Sequence, residues 1–106
     1  MDVVYRRIPQ VAEVSLGPGR VVVLRLDDPA ARPRALEGTG RVIWNAIDGR
    51  RGRAELVSHI AETFEVGLGE IASDVADFLR LLVSLRLIDE IRIETPTARP
   101  VEPSLR

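Results

Sequence analysis

Cysteine and lysine are both absent from the 106 residues, and there is a single histidine. Without cysteine the chain has no disulfide, no thiol nucleophile and no zinc–thiolate site. His59 falls in the middle of a predicted helix, with no second histidine, thiol or serine motif to work with, so a catalytic triad is excluded. All 15 basic residues are arginine, which fits GC-rich codon usage, and 16 acids balance them to a net charge of −1. Such a chain has no overall field to hold a polyanion or an anionic membrane. No apolar run approaches the ~20 residues that a membrane-spanning helix needs. The start, MDVVYRRIPQ, lacks the basic residues followed by an apolar stretch that mark a signal peptide. These absences point to a cytoplasmic protein that has no cofactor, no metal and no catalytic activity.

What is present is one domain's worth of alternating and helical patterning. A hydrophobic fraction of 45% and a charged fraction of 29% suit a soluble core. Residues 1–8 are mixed and add at most a short strand. Gln10 to Leu16 alternates and reads as a strand, Gly17-Pro18-Gly19 as a turn, and Arg20 to Leu26 as a strong central strand because successive β-branched residues resist the helix. Asp27 to Ala31 turns the chain again. Arg32 to Glu37 is a weaker third strand, and Pro33, which has no N–H, puts it at an edge. The period then becomes helical. Thr39 suits the N-cap of a helix over Gly40 to Ile47, whose core face is Val42, Ile43, Ala46 and Ile47, anchored by Trp44. Asp48-Gly49 stops it. A second helix runs over Arg53 to Phe64, with Leu56, Val57, Ile60, Ala61 and Phe64 at helical spacing. Leu68 to Ile88 is the third and longest helix, and Leu87 to Ile93 ends in an extended segment. Residues 95–106 carry three prolines and form a mobile tail after a domain spanning 1–94. The fold class is therefore α+β: a three-stranded antiparallel β-meander followed by three helices, as in winged helix-turn-helix domains.

The third helix has more apolar surface than a core requires. Ile71, Val75, Phe78, Leu82 and Leu85 make one stripe, Leu79 and Val83 flank it on one side, and Leu81 and Ile88 flank it on the other, beside Asp74. Asp74 and Asp77 lie one turn apart, where a solvated face explains them better than a cation site. Glu70, Asp74, Asp77 and Asp89 outnumber Arg80 and Arg86, so this helix repels phosphates; a winged-helix DNA-binding protein is the disfavoured alternative. The cluster Arg50, Arg51 and Arg53 reads as a solvated turn, and Gly17-x-Gly19 and Gly38-x-Gly40 read as turns rather than phosphate loops. An open edge at Arg32–Glu37 beside a surplus apolar flank suits a different task. An extended peptide can add there as a strand, with main-chain hydrogen bonds for affinity and side-chain pockets for specificity. The open edge equally allows two copies to pair, so a monomer or weak dimer is expected.

RALEGTGRVIWNAIDGRRGRAELVSHIAETFEV followed by DVADFLRLLVSLRLID resembles the PqqD-like proteins, the recognition elements for ribosomally made precursor peptides. The resemblance rests on Leu36 ending the third strand, the short link into a helix closed by Asp48-Gly49, Phe64 ending the second helix, and the block Asp74, Val75, Phe78, Leu79 before Leu87-Ile88. Arg86 departs from it, standing where many members have glycine. The resemblance implies a non-catalytic domain that binds a precursor's leader segment as a strand on the third strand, in a groove against the third helix. The implied contacts are Arg32, Pro33, Arg34, Ala35 and Leu36 on the strand. On the helix they are Asp74, Asp77, Phe78, Leu81, Leu82 and Leu85, with Asp74 or Asp77 open to a tyrosine hydroxyl or a basic leader residue. The Thr39-Gly40 link and Trp44 look most like the stand-alone members of lasso-peptide clusters. Those imply a separate cysteine-protease-like leader peptidase and an ATP-dependent cyclase as partners. A peptide chaperone for a radical-SAM enzyme is the nearest alternative.

Overall fold

The computed structural model describes residues 2–93; the predicted tail over 95–106 lies outside them. The chain forms β1 (Asp2–Arg7), β2 (Val11–Ser15), β3 (Arg20–Arg25), β4 (Arg34–Glu37), α1 (Gly38–Ala46), α2 (Arg53–Phe64), α3 (Leu68–Ser84) and β5 (Ile88–Ile93). β2, β3 and β4 make the expected antiparallel meander, with β3 in the centre. The N-terminal segment is a full strand rather than a marginal one. It pairs antiparallel with β5 as a separate ribbon, from Asp2 opposite Ile93 to Arg7 opposite Ile88. No local signal in the first residues marks them as a strand, because their partner is more than eighty residues away.

Three boundaries differ from the sequence expectation by two residues or more. The third strand begins at Arg34, not Arg32, since Pro33 has no N–H to give a ladder. The first helix begins at Gly38, so Thr39 lies inside it rather than capping it, and Glu37 holds the N-cap position without a side-chain hydrogen bond. Gly38 makes this abrupt switch possible: its φ of +58° turns the strand directly into the helix, a conformation open to glycine at little cost. The third helix ends at Ser84, not Ile88. Arg86 then takes a left-handed φ of +62°, and Ile88 opens β5 instead of flanking the helix.

The core gathers one face from each element. α1 contributes Ile43, Trp44 and Ala46, α2 contributes Leu56, Val57, Ile60 and Ala61, and α3 contributes Val75, Leu79 and Leu82. Val21, Val23 and Leu36 cover this cluster from the sheet, and Leu87 and Ile88 close it from the ribbon side. Phe64 stands out of the core, exposed at the last position of α2. The turn between α1 and α2 is structural. Asp48 accepts the backbone N–H groups of Arg50 at 2.9 Å and Arg51 at 3.1 Å. These bonds, that to Arg50 foremost, hold its carboxyl below the ordinary carboxylate range. Arg51 also donates to the carbonyl of Ala46 at 3.0 Å, and β1 is tied to this turn by Gly49 N–H to Tyr5 O at 2.8 Å.

Trp44 joins three elements. Its ring is 1% exposed, its indole N–H donates to Glu13 Oε1 on β2 at 3.0 Å, and Arg7 of β1 donates to the same oxygen at 3.0 Å while lying 5.6 Å from the ring centroid. A buried ring with a satisfied N–H fills volume and fixes orientation together. Trp44→Phe keeps most of the volume but removes the donor. It is expected to cost about 1–2 kcal/mol in urea unfolding, whereas Trp44→Ala is expected to cost about 3–5 kcal/mol.

Candidate functional site

The ladder around β3 fixes which backbone groups of β4 are free. Leu16 N–H donates to Arg20 O at 2.9 Å, and Leu26 N–H donates to Gln10 O at 2.8 Å. Residues 20, 22, 24 and 26 therefore direct their backbone groups toward β2, and by alternation 21 and 23 direct theirs toward β4. Their partners are Leu36 and Arg34. It follows that Arg34 and Leu36 spend their N–H and C=O groups on β3, while Ala35 and Glu37 turn theirs to the outer edge. No strand covers that edge among the described residues. The carbonyl of Glu37 enters α1 as the N-cap residue, so the open donors are Ala35 N–H and Glu37 N–H, and the open acceptor is Ala35 C=O.

Side chains alternate the other way. Leu36 pairs with Val21 and Arg34 with Val23, so both lie on the face of the sheet that meets the helices, since Val21 and Val23 are buried. Ala35 and Glu37 lie on the outer face, where Glu37 forms an ion pair with Arg20 across the strands. Arg32 and Pro33 precede the strand and remain exposed.

One flank of α3 stands beside this edge. A Cβ added at Gly40, two residues into α1, would lie 3.1 Å from Phe78 Cζ; only glycine lets the start of α1 sit against that ring without displacing it. At the other end, Arg32 and Arg34 share a cavity of about 290 Å³ with Leu85 and Leu87. Phe78 and Leu85, both half-buried, thus mark the two ends of one wall. Asp74, Phe78, Leu81 and Leu85, at i, i+4, i+7 and i+11, form a single stripe. Leu81 is its most exposed apolar member, at 46%. The opposite flank is occupied: Ala72 and Ala76 line a cleft with Ala54, Val57 and Ser58 of α2, and Val83 packs on the core. The side bearing Phe78 and Leu85 is therefore the one toward β4; Leu81 stands at its outer margin, lining a shallow depression with Asp77, Arg80, Ser84 and Glu90.

Several candidates take other places. Leu82 is 1% exposed and packs in the core, so it backs the wall and has no surface to offer a ligand. Leu36 also points its side chain inward. Leu79, expected on a flank, is core. Asp77 lies on the outer face, where it forms an ion pair with Arg80; Asp74 is exposed and on the groove stripe. No cluster of acidic and histidine residues able to hold a metal occurs among the described residues, and none of their helices is long and apolar enough to cross a membrane. His59 is half-buried, and its carbonyl accepts the Thr63 hydroxyl at 2.9 Å. The cavity at Arg32 and Arg34 was not legible in the sequence. It also uses Arg25 and Arg86, residues brought there from the end of β3 and the turn after α3.

Over residues 20–88 the chain matches the family described as coenzyme PQQ synthesis protein D, PqqD. A comparison with curated proteins finds no match. Among solved structures, a chain described as TbiB1 in complex with the TbiA(beta) leader peptide superposes with a TM-score of 0.69 and 24% identity, over 79% of this chain and 94% of that one. At that identity the likeness speaks for the fold.

The burial pattern separates the two neighbouring leucines. Leu81→Asp is expected to leave the thermal unfolding of the chain within about 0.5 kcal/mol of the original, as at other exposed sites. Leu82→Asp, which buries a carboxylate without a partner, is expected to abolish the cooperative transition followed by circular dichroism.

Proposed function

The chain belongs to the PqqD family, and on that footing we propose that it is a non-catalytic recognition domain for the leader segment of a ribosomally made precursor peptide. The leader adds as a strand to the open edge of β4 and lays alternate side chains against the Asp74–Phe78–Leu81–Leu85 stripe of α3. The observation that carries this reading is the pairing of an uncovered strand edge with an exposed apolar helix flank, held side by side by the contact of Gly40 with Phe78. The similar TbiB1 fold, described in complex with a leader peptide, supports the same occupant. The partners proposed with it are a separate cysteine-protease-like leader peptidase and a cyclase of lasso-peptide type, to which the bound precursor is presented by a monomeric or weakly dimeric chain.

The edge gives about two or three main-chain hydrogen bonds, each worth about 0.5–1.5 kcal/mol net. One buried apolar anchor from the leader against Phe78 and Leu81 adds about 1.5–3 kcal/mol before ordering costs. Neither part suffices alone, so strand and wall must act together. The duplex-binding alternative fits poorly, because Glu70, Asp74 and Asp77 are all exposed on α3 and would meet phosphate with like charge.

Ala35→Pro tests the edge selectively. Its N–H faces outward, so proline removes the rung offered to a leader while the β3–β4 ladder keeps Arg34 and Leu36. In calorimetric titration with a synthetic leader segment of its precursor peptide, Ala35→Pro and Leu81→Asp are each expected to weaken binding by about tenfold or more. Unchanged affinity in both variants overturns the proposal.

A further inference from the structure

The two ends of the groove differ in charge. At the α1 end the wall is Phe78, with Asp74 beyond it; Glu37 lies on the outer face of the sheet and is paired with Arg20. At the other end the cavity of about 290 Å³ has Leu85 and Leu87 in its lining and is rimmed by arginine. Four arginines reach it, Arg25, Arg32, Arg34 and Arg86, against one carboxylate, Asp28. Arg25 is already neutralised: its Nε and Nη2 grip Asp27 at 2.6 and 3.1 Å, and its Nη1 donates to the carbonyl of Arg86 at 2.6 Å. Arg86 interacts with Asp27 through the longer-range field. Arg32 and Arg34 have no ion pair or side-chain hydrogen bond among the described residues. Asp28 is itself turned to its own loop, accepting the N–H of Ala30 at 2.9 Å.

The backbone beneath this rim carries strain. Arg86 sits at φ +62°, where glycine would be free and a side chain costs roughly 1–2 kcal/mol. Arg86 at this strained position lines both this cavity and the neighbouring one bounded by Asp89 and Glu90.

Resting on the strand-addition reading, we propose that this cavity selects an acidic side chain of the bound peptide, placed two residues from an apolar one. The spacing follows from the register. Residues of an added strand that lie opposite Leu36 and Arg34 point to the helix-facing side, as those two do, and are two positions apart. The residue opposite Leu36 meets Phe78 and is apolar. The residue opposite Arg34 meets Leu85 with Arg32, Arg34 and Arg86 around it. A glutamate or aspartate satisfies that place, because its short stem packs on Leu85 while its carboxylate takes a charge-assisted pair with arginine. A lysine there meets a surplus of like charge.

A random twelve-residue peptide library displayed for selection tests this on the full chain. Binders of the unaltered chain that are lost on Ala35→Pro are expected to share an acidic residue two positions from an apolar one. Changing that acid to lysine is expected to weaken binding about tenfold or more. Selection on the Arg32→Glu/Arg34→Glu chain is expected to replace the acid with arginine or lysine. Arg86→Gly, which relieves the backbone and so folds at least as well, is expected to reduce the preference for acid over glutamine. Binders sensitive to Ala35→Pro but without the acid, or an acid preference unmoved by the Arg32/Arg34 reversal, overturn the cavity and leave strand addition standing. Binders indifferent to Ala35→Pro contradict strand addition itself, and the spacing falls with it.

Discussion

The geometry of the groove depends on α1, and α1 depends on Trp44. The helix is only nine residues long, too short to hold itself in water. It is pinned by an indole sealed in the core and hydrogen-bonded to Glu13, which Arg7 of the separate ribbon also holds. Since β4 runs into α1 through Gly38 without a loop, pinning the helix pins the end of the edge strand. Since α1 also receives Phe78 of α3 against Gly40, the same anchor sets how far the wall stands from the edge. One tryptophan thus relates the two sides of a site to which it contributes no contact.

The edge itself is kept short. Pro33 ends the ladder at one side and the N-cap residue Glu37 ends it at the other, so Ala35 is the one residue with both backbone groups turned outward. A short edge next to a helix discourages unguided sheet extension. A ligand that pairs there must also satisfy the helix wall, which turns a generic backbone template into a selective one. The electrostatic difference between the ends, acidic near Asp74 and arginine-rich near Leu85, adds direction to that selectivity.

The meander and three helices were legible in the residues because their signals are local. Val21, Val22 and Val23 are successive β-branched residues that favour a strand, and Leu56, Val57, Ile60 and Ala61 keep a helical period. The weak edge at Arg32–Glu37 was legible from Pro33, as was Leu81 as an outlier from the core stripe. Long-range and backbone-controlled features were not. β1 looks unremarkable until β5 stands opposite it. The end of α3 was placed at Ile88 because Leu85, Leu87 and Ile88 continue an apolar run, yet Arg86 turns left-handed and ends the helix at Ser84. Leu82 shares its stripe with Phe78 and Leu85, and only the packing of the core separates buried from exposed among them. The arginine-rimmed cavity joins the 25–34 stretch to residues 84–87, so no spacing in the chain announces it.

The central claim is that a leader pairs with the outer edge of β4, and amide hydrogen exchange reads that edge directly. In the free chain, Arg34 and Leu36 amides are bonded to β3 and exchange slowly, while Ala35 and Glu37 amides are open and exchange fast. On saturation with leader peptide, Ala35 and Glu37 become protected and the β2 edge does not change. Fast exchange at Ala35 in the saturated complex, with protection appearing on β2 or on the outer face of α3 instead, contradicts the account.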